Sequence, residues 1–168
     1  MKTGKLIALT LVVFLLLPGV SHALTDDQWA LIWLKGVMVW VKNIDPKIVP
    51  LGLTQEQVKA DVELRLRKAG IRVLTEKECR ATMGHPYLSV DISISEIKIS
   101  DDRVGYAYGI GVHLYETVML ARGFEAMGSI WSVSSIGAFG KNANPIPNII
   151  NEIVDKFIND YLAANPKK

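Results

Sequence analysis

The residues able to do chemistry are few. Beyond the first 23 positions the chain carries two histidines, His85 and His113, and its only cysteine is Cys79. His113 and Glu116 are three apart. On a strand that spacing puts them on opposite faces, so they cannot form a general acid/base pair within it. His113 does share a face with Tyr115. If the preceding strand carries a β-bulge near Ser95–Ile97, its same face carries Ser89, Asp91, Ser93 and Ser95, with Asp91 as its only carboxylate. A small hydrolase using Asp91 and His113 with a serine is therefore conceivable. Two features weigh against it: alternating Ser and Asp normally mark a solvated strand face, and the GxSxG turn that strains a nucleophilic serine into place is missing. No catalytic residue is expected, and His85, before Pro86, reads as a loop residue.

Other chemistries fare no better. The glycines of Gly105-Tyr106-Ala107-Tyr108-Gly109-Ile110-Gly111 suggest a phosphate loop, but they lie inside a strand, and the third glycine and the lysine are absent. In a strand they mark close backbone approach, twist or a ligand lying flat. No HExxH or EF-hand spacing occurs, so neither metal nor cofactor is expected. Cys79 has no partner for an intramolecular disulfide and reads as a small half-buried hydrophobe.

The amino terminus sets the compartment. Lys2 and Lys5 precede an apolar run from Leu6 to Leu17 broken only by Thr10; Pro18-Gly19 and then Ser21-His22-Ala23 follow. This is the plan of a signal peptide over 1–23, cleaved after Ala23. The run is shorter than the roughly 20 residues that span a bilayer. The protein is expected to be exported, periplasmic or secreted, with residues 24–168 as a single α+β domain and no membrane span after cleavage. The formal charge of +2 belongs to the precursor. Without Lys2 and Lys5 the remainder balances 17 basic against 17 acidic side chains. A nucleic-acid partner thereby loses its simplest electrostatic argument.

The elements that must position these residues follow from periodicity. Leu31–Ile44 is apolar on both alternating faces, with Val37, Val39 and Val41 against Met38 and Trp40, which predicts a strand that is central or covered on both sides. Asp45-Pro46 and Pro50-Leu51-Gly52 punctuate a loop. Thr54 and Gln57 open a helix with the stripe Val58, Val62, Leu66 and Ala69, ended by Gly70 as a left-handed cap. Ile71–Leu74 predicts a second strand, parallel to the first through a right-handed crossover. Thr75 and Glu78 have capping-box spacing before a short helix.

Tyr87–Ser95 alternates most clearly, with Leu88, Val90, Ile92 and Ile94 facing inward. The apolar phase then switches to Ile97 and Ile99. That predicts a β-bulge near Ser95–Ile97, or a hairpin loop of another length than Ser100–Arg103. Val104–Ala121 returns with Tyr106, Tyr108, Ile110, Val112 and Leu114 on one face, and Ser129–Gly137 is a third meander strand. Pro145-Ile146-Pro147 opens a last helix with a broad apolar stripe, stopped by Asn165-Pro166. The sum is a two-layer α+β sandwich: a mixed sheet of about five strands in the order β-α-β-β-β-α, with two main helices on one face.

The stretches AGIRVLTEKE, PYLSVDISI and FINDYLAANPKK, with the signal peptide, resemble a family of small exported bacterial proteins without an assigned function. The element order is similar to that of envelope domains such as the peptidoglycan-synthase activator lipoproteins and the amino-terminal domain of the TolB protein. That resemblance implies binding of protein partners and no catalysis. The lipid-attachment cysteine of the activators is absent here, so anchoring by that route does not carry over.

If the helices cover one face of the sheet, the other stays open. It combines the small residues Ala107, Gly109, Gly111, Ser132 and Ser134 with Met38, Trp40, Asp91, His113, Tyr115 and Met119 as candidate binding residues. The Ser- and Gly-rich stretch Ser134–Asn144 is a second candidate contact loop. The expected function is a non-enzymatic envelope binding or adaptor domain whose partner is an envelope protein. The alternatives are self-association through the open face or a sheet edge, and the Asp91–His113 hydrolase.

Overall fold

The computed structural model describes residues 23–42, 44, 53–100, 103–140 and 144–166. The expected export segment through His22 and the loop at 45–52 lie outside these described residues. In chain order the elements are α1 (Asp26–Trp29), β1 (Met38–Val41), α2 (Gln55–Lys68), α3 (Glu76–Ala81), β2 (Tyr87–Ser100), β3 (Arg103–Met119), β4 (Glu125–Gly140) and α4 (Ile146–Ala164). The fold is α+β, with one mixed sheet in the order β1-β2-β3-β4. β1 runs parallel to β2, and the other pairs are antiparallel.

Among the described residues the sheet has four strands, not five. Ile71–Leu74 contributes one parallel bridge, Val37 to Val73. Val37 N–H donates to the Arg72 carbonyl at 3.0 Å and Leu74 N–H to the Val37 carbonyl at 2.9 Å. Pairing stops there because Thr75 caps α3 at once: its hydroxyl accepts from Glu78 N–H, and the Glu78 carboxylate accepts from Thr75 N–H. The reciprocal box turns the chain off the sheet edge. Those bonds, from the Thr75 backbone first and Arg72 next, hold the Glu78 carboxyl near a pKa of about 2.

The strand expected over Leu31–Ile44 is confined to Met38–Val41 and lies at the sheet edge rather than in its centre. Its front half is turn instead: α1, opened by the Thr25–Gln28 capping box, ends at Trp29, Leu31 N–H donates to the Gln28 carbonyl and Leu34 N–H to that of Leu31. α2 matches its pattern: Val58, Val62 and Leu66 are buried, and the helix closes with Gly70 at φ +81°. There Ile71 N–H donates to the Leu66 carbonyl and Gly70 N–H to that of Arg67, a left-handed termination that glycine adopts without steric cost.

The long hairpin carries its irregularity at the tip. Tyr87 through Lys98 pair in unbroken register with Tyr115 back to Val104, and the shift falls between Lys98 and Ser100. No bulge forms at Ser95–Ile97. A shorter turn already sets Leu88, Val90, Ile92 and Ile94 opposite Leu114, Val112, Ile110 and Tyr108. A second shift lies between Leu114 and Tyr115, which pair with Trp131 and Ser129 and leave Ile130 as the extra residue on β4. β4 extends to Gly140, so most of the supposed loop from Ser134 is strand.

α2 packs on β1, α4 crosses β3 and β4, and the two helices touch each other. Val39, Val41, Leu88, Val90, Ile110, Val112, Leu114 and Trp131 meet them from one sheet face in a continuous apolar cluster. Trp131 and Phe157 meet edge-to-face at 5.1 Å. The indole N–H of Trp131 donates to Asp160, 6% exposed, at 3.0 Å. Gln28 and Lys156 complete that carboxylate's shell at 3.2 and 2.8 Å, so α1, β4 and α4 meet on one buried charge. Among the described residues, no helix is long and apolar enough to cross a membrane.

Candidate functional site

Strand alternation decides what the second sheet face shows. With Val39, Leu88, Val112 and Trp131 turned to the helices, their sequence neighbours turn the other way. Pairing then sorts them into ladder rows. Met38, Tyr87, Tyr115 and Ser129 form one row, and Trp40, Ser89, His113 and Ser132 the next. Asp91, Gly111 and Ser134 form a third. Thus Met38, Trp40, Asp91, His113 and Tyr115 are brought together. Met119 is not among them: it pairs with Glu125 at the far end of β3 and is exposed there.

The rings form a connected row. Trp40 meets Tyr87 edge-on at 6.2 Å, Tyr87 stacks on Tyr115 at 5.2 Å, and the His113 ring lies 6.0 Å from Tyr115. Sequence reasoning left Tyr87 off the face, although its parity with Ser89 and Asp91 signals its place. Burial raises the Tyr87 phenol above its ordinary range, with Tyr115 and Asp91 adding to the effect. Trp40 stays 46% exposed, which contradicts a strand covered on both sides.

The polar part centres on Asp91. Its carboxylate accepts from the Ser89 hydroxyl at 3.4 Å and lies 3.9 Å from Lys42 Nζ and 4.0 Å from His113 Nε2. Gly111 makes this arrangement possible, because a Cβ there would collide with the His113 imidazole and crowd the Ser134 hydroxyl. The glycine marks a side chain lying flat over the strand. The hydroxyl of buried Ser89 is directed to Asp91 rather than to His113. A nucleophilic relay needs the serine proton to face the imidazole. The cluster is arranged to present a carboxylate, an imidazole and an ammonium group beside aromatic rings.

α3 borders the face at its β1 end. Cys79 and Arg80 line an open cleft of about 660 Å³ together with Met38, Trp40 and Lys59. Cys79 itself is buried, with its Sγ 3.4 Å from the Pro86 carbonyl, and burial pushes its thiol pKa up. That favours packing over thiolate chemistry. His85 approaches Thr117 Oγ1 through Nδ1 at 3.3 Å, away from the His113 cluster. No group of three or more His, Cys, Asp or Glu side chains placed to hold a metal occurs among the described residues.

No family model matches the sequence, and no curated protein matches it. A solved structure of a minor lipoprotein from Acinetobacter baumannii is similar in fold at a TM-score of 0.40 and 7% identity, covering 79% of this chain and 93% of its own. At that score the likeness assigns neither family nor role.

Proposed function

We propose that this chain is an exported, non-enzymatic binding domain of the bacterial envelope and that it engages an envelope protein through the open face of its sheet. One observation carries the reading: the ring row Trp40–Tyr87–Tyr115–His113 stands beside Asp91 on the face opposite the helices. Aromatic side chains with a polar tip concentrate at protein interfaces, because they bring large contact area at small entropic cost. The sequence supports export through Lys2, Lys5 and the apolar run that follows them. A native mass spectrum of mature protein purified from its own envelope fraction tests the proposal. A bound polypeptide is expected, and Trp40→Asp or Tyr115→Asp should release it. A bare monomer throughout, or a partner retained by both variants, refutes it.

Self-association is a second reading, favoured by β4. Among the described residues this 16-residue strand pairs only with β3, and it carries no proline and no charge except Glu125. Natural sheet edges are usually protected by such residues. A concentration-dependent dimer abolished by Ile136→Lys would identify this edge, and a monomer at every concentration would reject it.

A further inference from the structure

β4 is the sheet edge opposite β1, and among the described residues it pairs only with β3. Which of its backbone groups face outward follows from the ladders. Met38 N–H donates to the Pro86 carbonyl and Lys42 N–H to that of Val90, so even-numbered residues of β2 spend their backbone bonds on β1 and odd-numbered ones on β3. Register carries this alternation across the sheet. Ser89 and Asp91 bond to His113 and Gly111, while Ile110, Val112 and Leu114 bond to Ser135, Val133 and Trp131. Ser132, Ser134, Ile136, Ala138 and Gly140 therefore turn their N–H and C=O groups to the open edge.

Ile136 is the centre of that row. Pairing with β3 is regular only from Trp131 to Gly140, because Ile130 is the extra residue of the bulge. Within this stretch Ile136 is the middle outward-facing residue, and it is 86% exposed among small neighbours. Turned about a two-fold axis beside Ile136 and perpendicular to the sheet, the strand matches itself. Ile136 then meets Ile136 of a second copy, Ser134 meets Ala138, and Ser132 meets Gly140. On the helix-facing side Val133 meets Phe139 and Ser135 meets Gly137. Apolar side chains oppose apolar ones and small oppose small, and Ala126–Gly140 holds no charge to stand opposite its like.

We propose that a second copy of this chain occupies the edge in this register, joining two sheets into one. This pairing rests on the self-association reading of β4 and fixes its geometry. Any extended strand could bond to the exposed backbone groups. A second copy is singled out because the regular part of β4 is its own complement, as a two-fold interface requires. Directly opposite residues of paired strands point to the same side, so the ring rows of both copies face one way. The dimer thereby offers two binding faces to one partner surface.

The test adds one cysteine at a time to the mature protein, as Ser132→Cys, Ser134→Cys, Ile136→Cys or Ala138→Cys. All four positions are exposed, and Cys79 is buried. Sedimentation reports the dimer, and mild oxidation reports which positions touch. Opposite residues that exchange backbone bonds have Cα atoms about 5.5 Å apart, within disulfide reach. Ile136→Cys should link to itself, and Ser134→Cys to Ala138→Cys only when the two are mixed. Ser134→Cys and Ser132→Cys should not link to themselves, since their Cα atoms lie about 14 and 27 Å from those of the second copy. A monomer at every concentration overturns the pairing together with the self-association reading. A dimer in which Ser132→Cys or Ser134→Cys links to itself overturns the register alone. A dimer in which no position links places the contact away from β4 and overturns the inference.

Discussion

Replacing Asp160 by alanine should be among the most damaging single polar substitutions in this chain. The carboxylate is 6% exposed and accepts from the Trp131 indole, Lys156 and Gln28 at 3.0, 2.8 and 3.2 Å. Trp131 is itself 1% exposed, so its N–H has no water to turn to. Leaving such a donor unsatisfied costs about 1–3 kcal/mol. The Lys156 pair, one helical turn away with its ammonium half in solvent, adds about 0.3–0.5 kcal/mol. Losing the Gln28 bond loosens α1 as well. A total near 2–4 kcal/mol follows, against about 1 kcal/mol for Asp160→Asn, which retains an acceptor. Urea unfolding of the two variants, of Trp131→Phe and of Trp131→Phe/Asp160→Ala closes a double-mutant cycle. Because the pair shares one buried bond, a coupling of at least about 1 kcal/mol is expected at unchanged m-value. Additive losses, or an Asp160→Ala cost below about 0.5 kcal/mol, would refute this view of the network.

Three further outcomes follow from the same geometry. Burial alone would raise the Asp160 carboxyl, but the bonds from Lys156, Trp131 and Gln28 outweigh it and hold it below the ordinary value. Its contribution is therefore present above the unfolded pKa and lost as pH falls below about 4, so the stability gap between the parent and Asp160→Asn should close in acid denaturation curves. Glu116 has the opposite sign: burial raises its carboxyl, and stability should fall as pH rises from about 4.3 through the folded value. Glu116→Gln should then melt higher than the parent near neutrality and show no gain in acid. Gly111→Ala should displace the His113 ring from Asp91 and cost about 1–3 kcal/mol by overpacking, which ring-proton contacts in NMR spectra and the urea midpoint would report.

Where local chemistry dictates conformation, the sequence is readable. The Thr75 box, the Gly70 cap, the α2 and α4 stripes and the alternation of Leu88 to Ile94 all reappear in the fold. What failed depends on competition between neighbours. Leu31–Ile44 is apolar on both alternating faces, but its first residues continue in turns from the helix opened by the Thr25–Gln28 box, and the left-handed backbone at Trp33 delays the strand to Met38. Ile71–Leu74 has the composition of a strand, yet the cap at Thr75 leaves room for one bridge. The phase switch at Ile97 fits a bulge or a different turn equally well, and only cross-strand pairing chooses the tip. The candidate face was readable from parity alone for Met38, Trp40, Asp91, His113 and Tyr115. Tyr87 was missed because it begins its strand, and Met119 was misplaced because parity says nothing of position along β3.

The central claim, that the open sheet face is where this chain meets its partner, is tested most directly by photo-crosslinking in the intact envelope. A benzophenone side chain placed singly at Trp40 or Tyr115 should give one discrete adduct with another polypeptide. The same group at Leu64, on the outside of α2, should give none. Adducts of equal yield from all three positions, or adducts only between copies of this chain, would contradict the account.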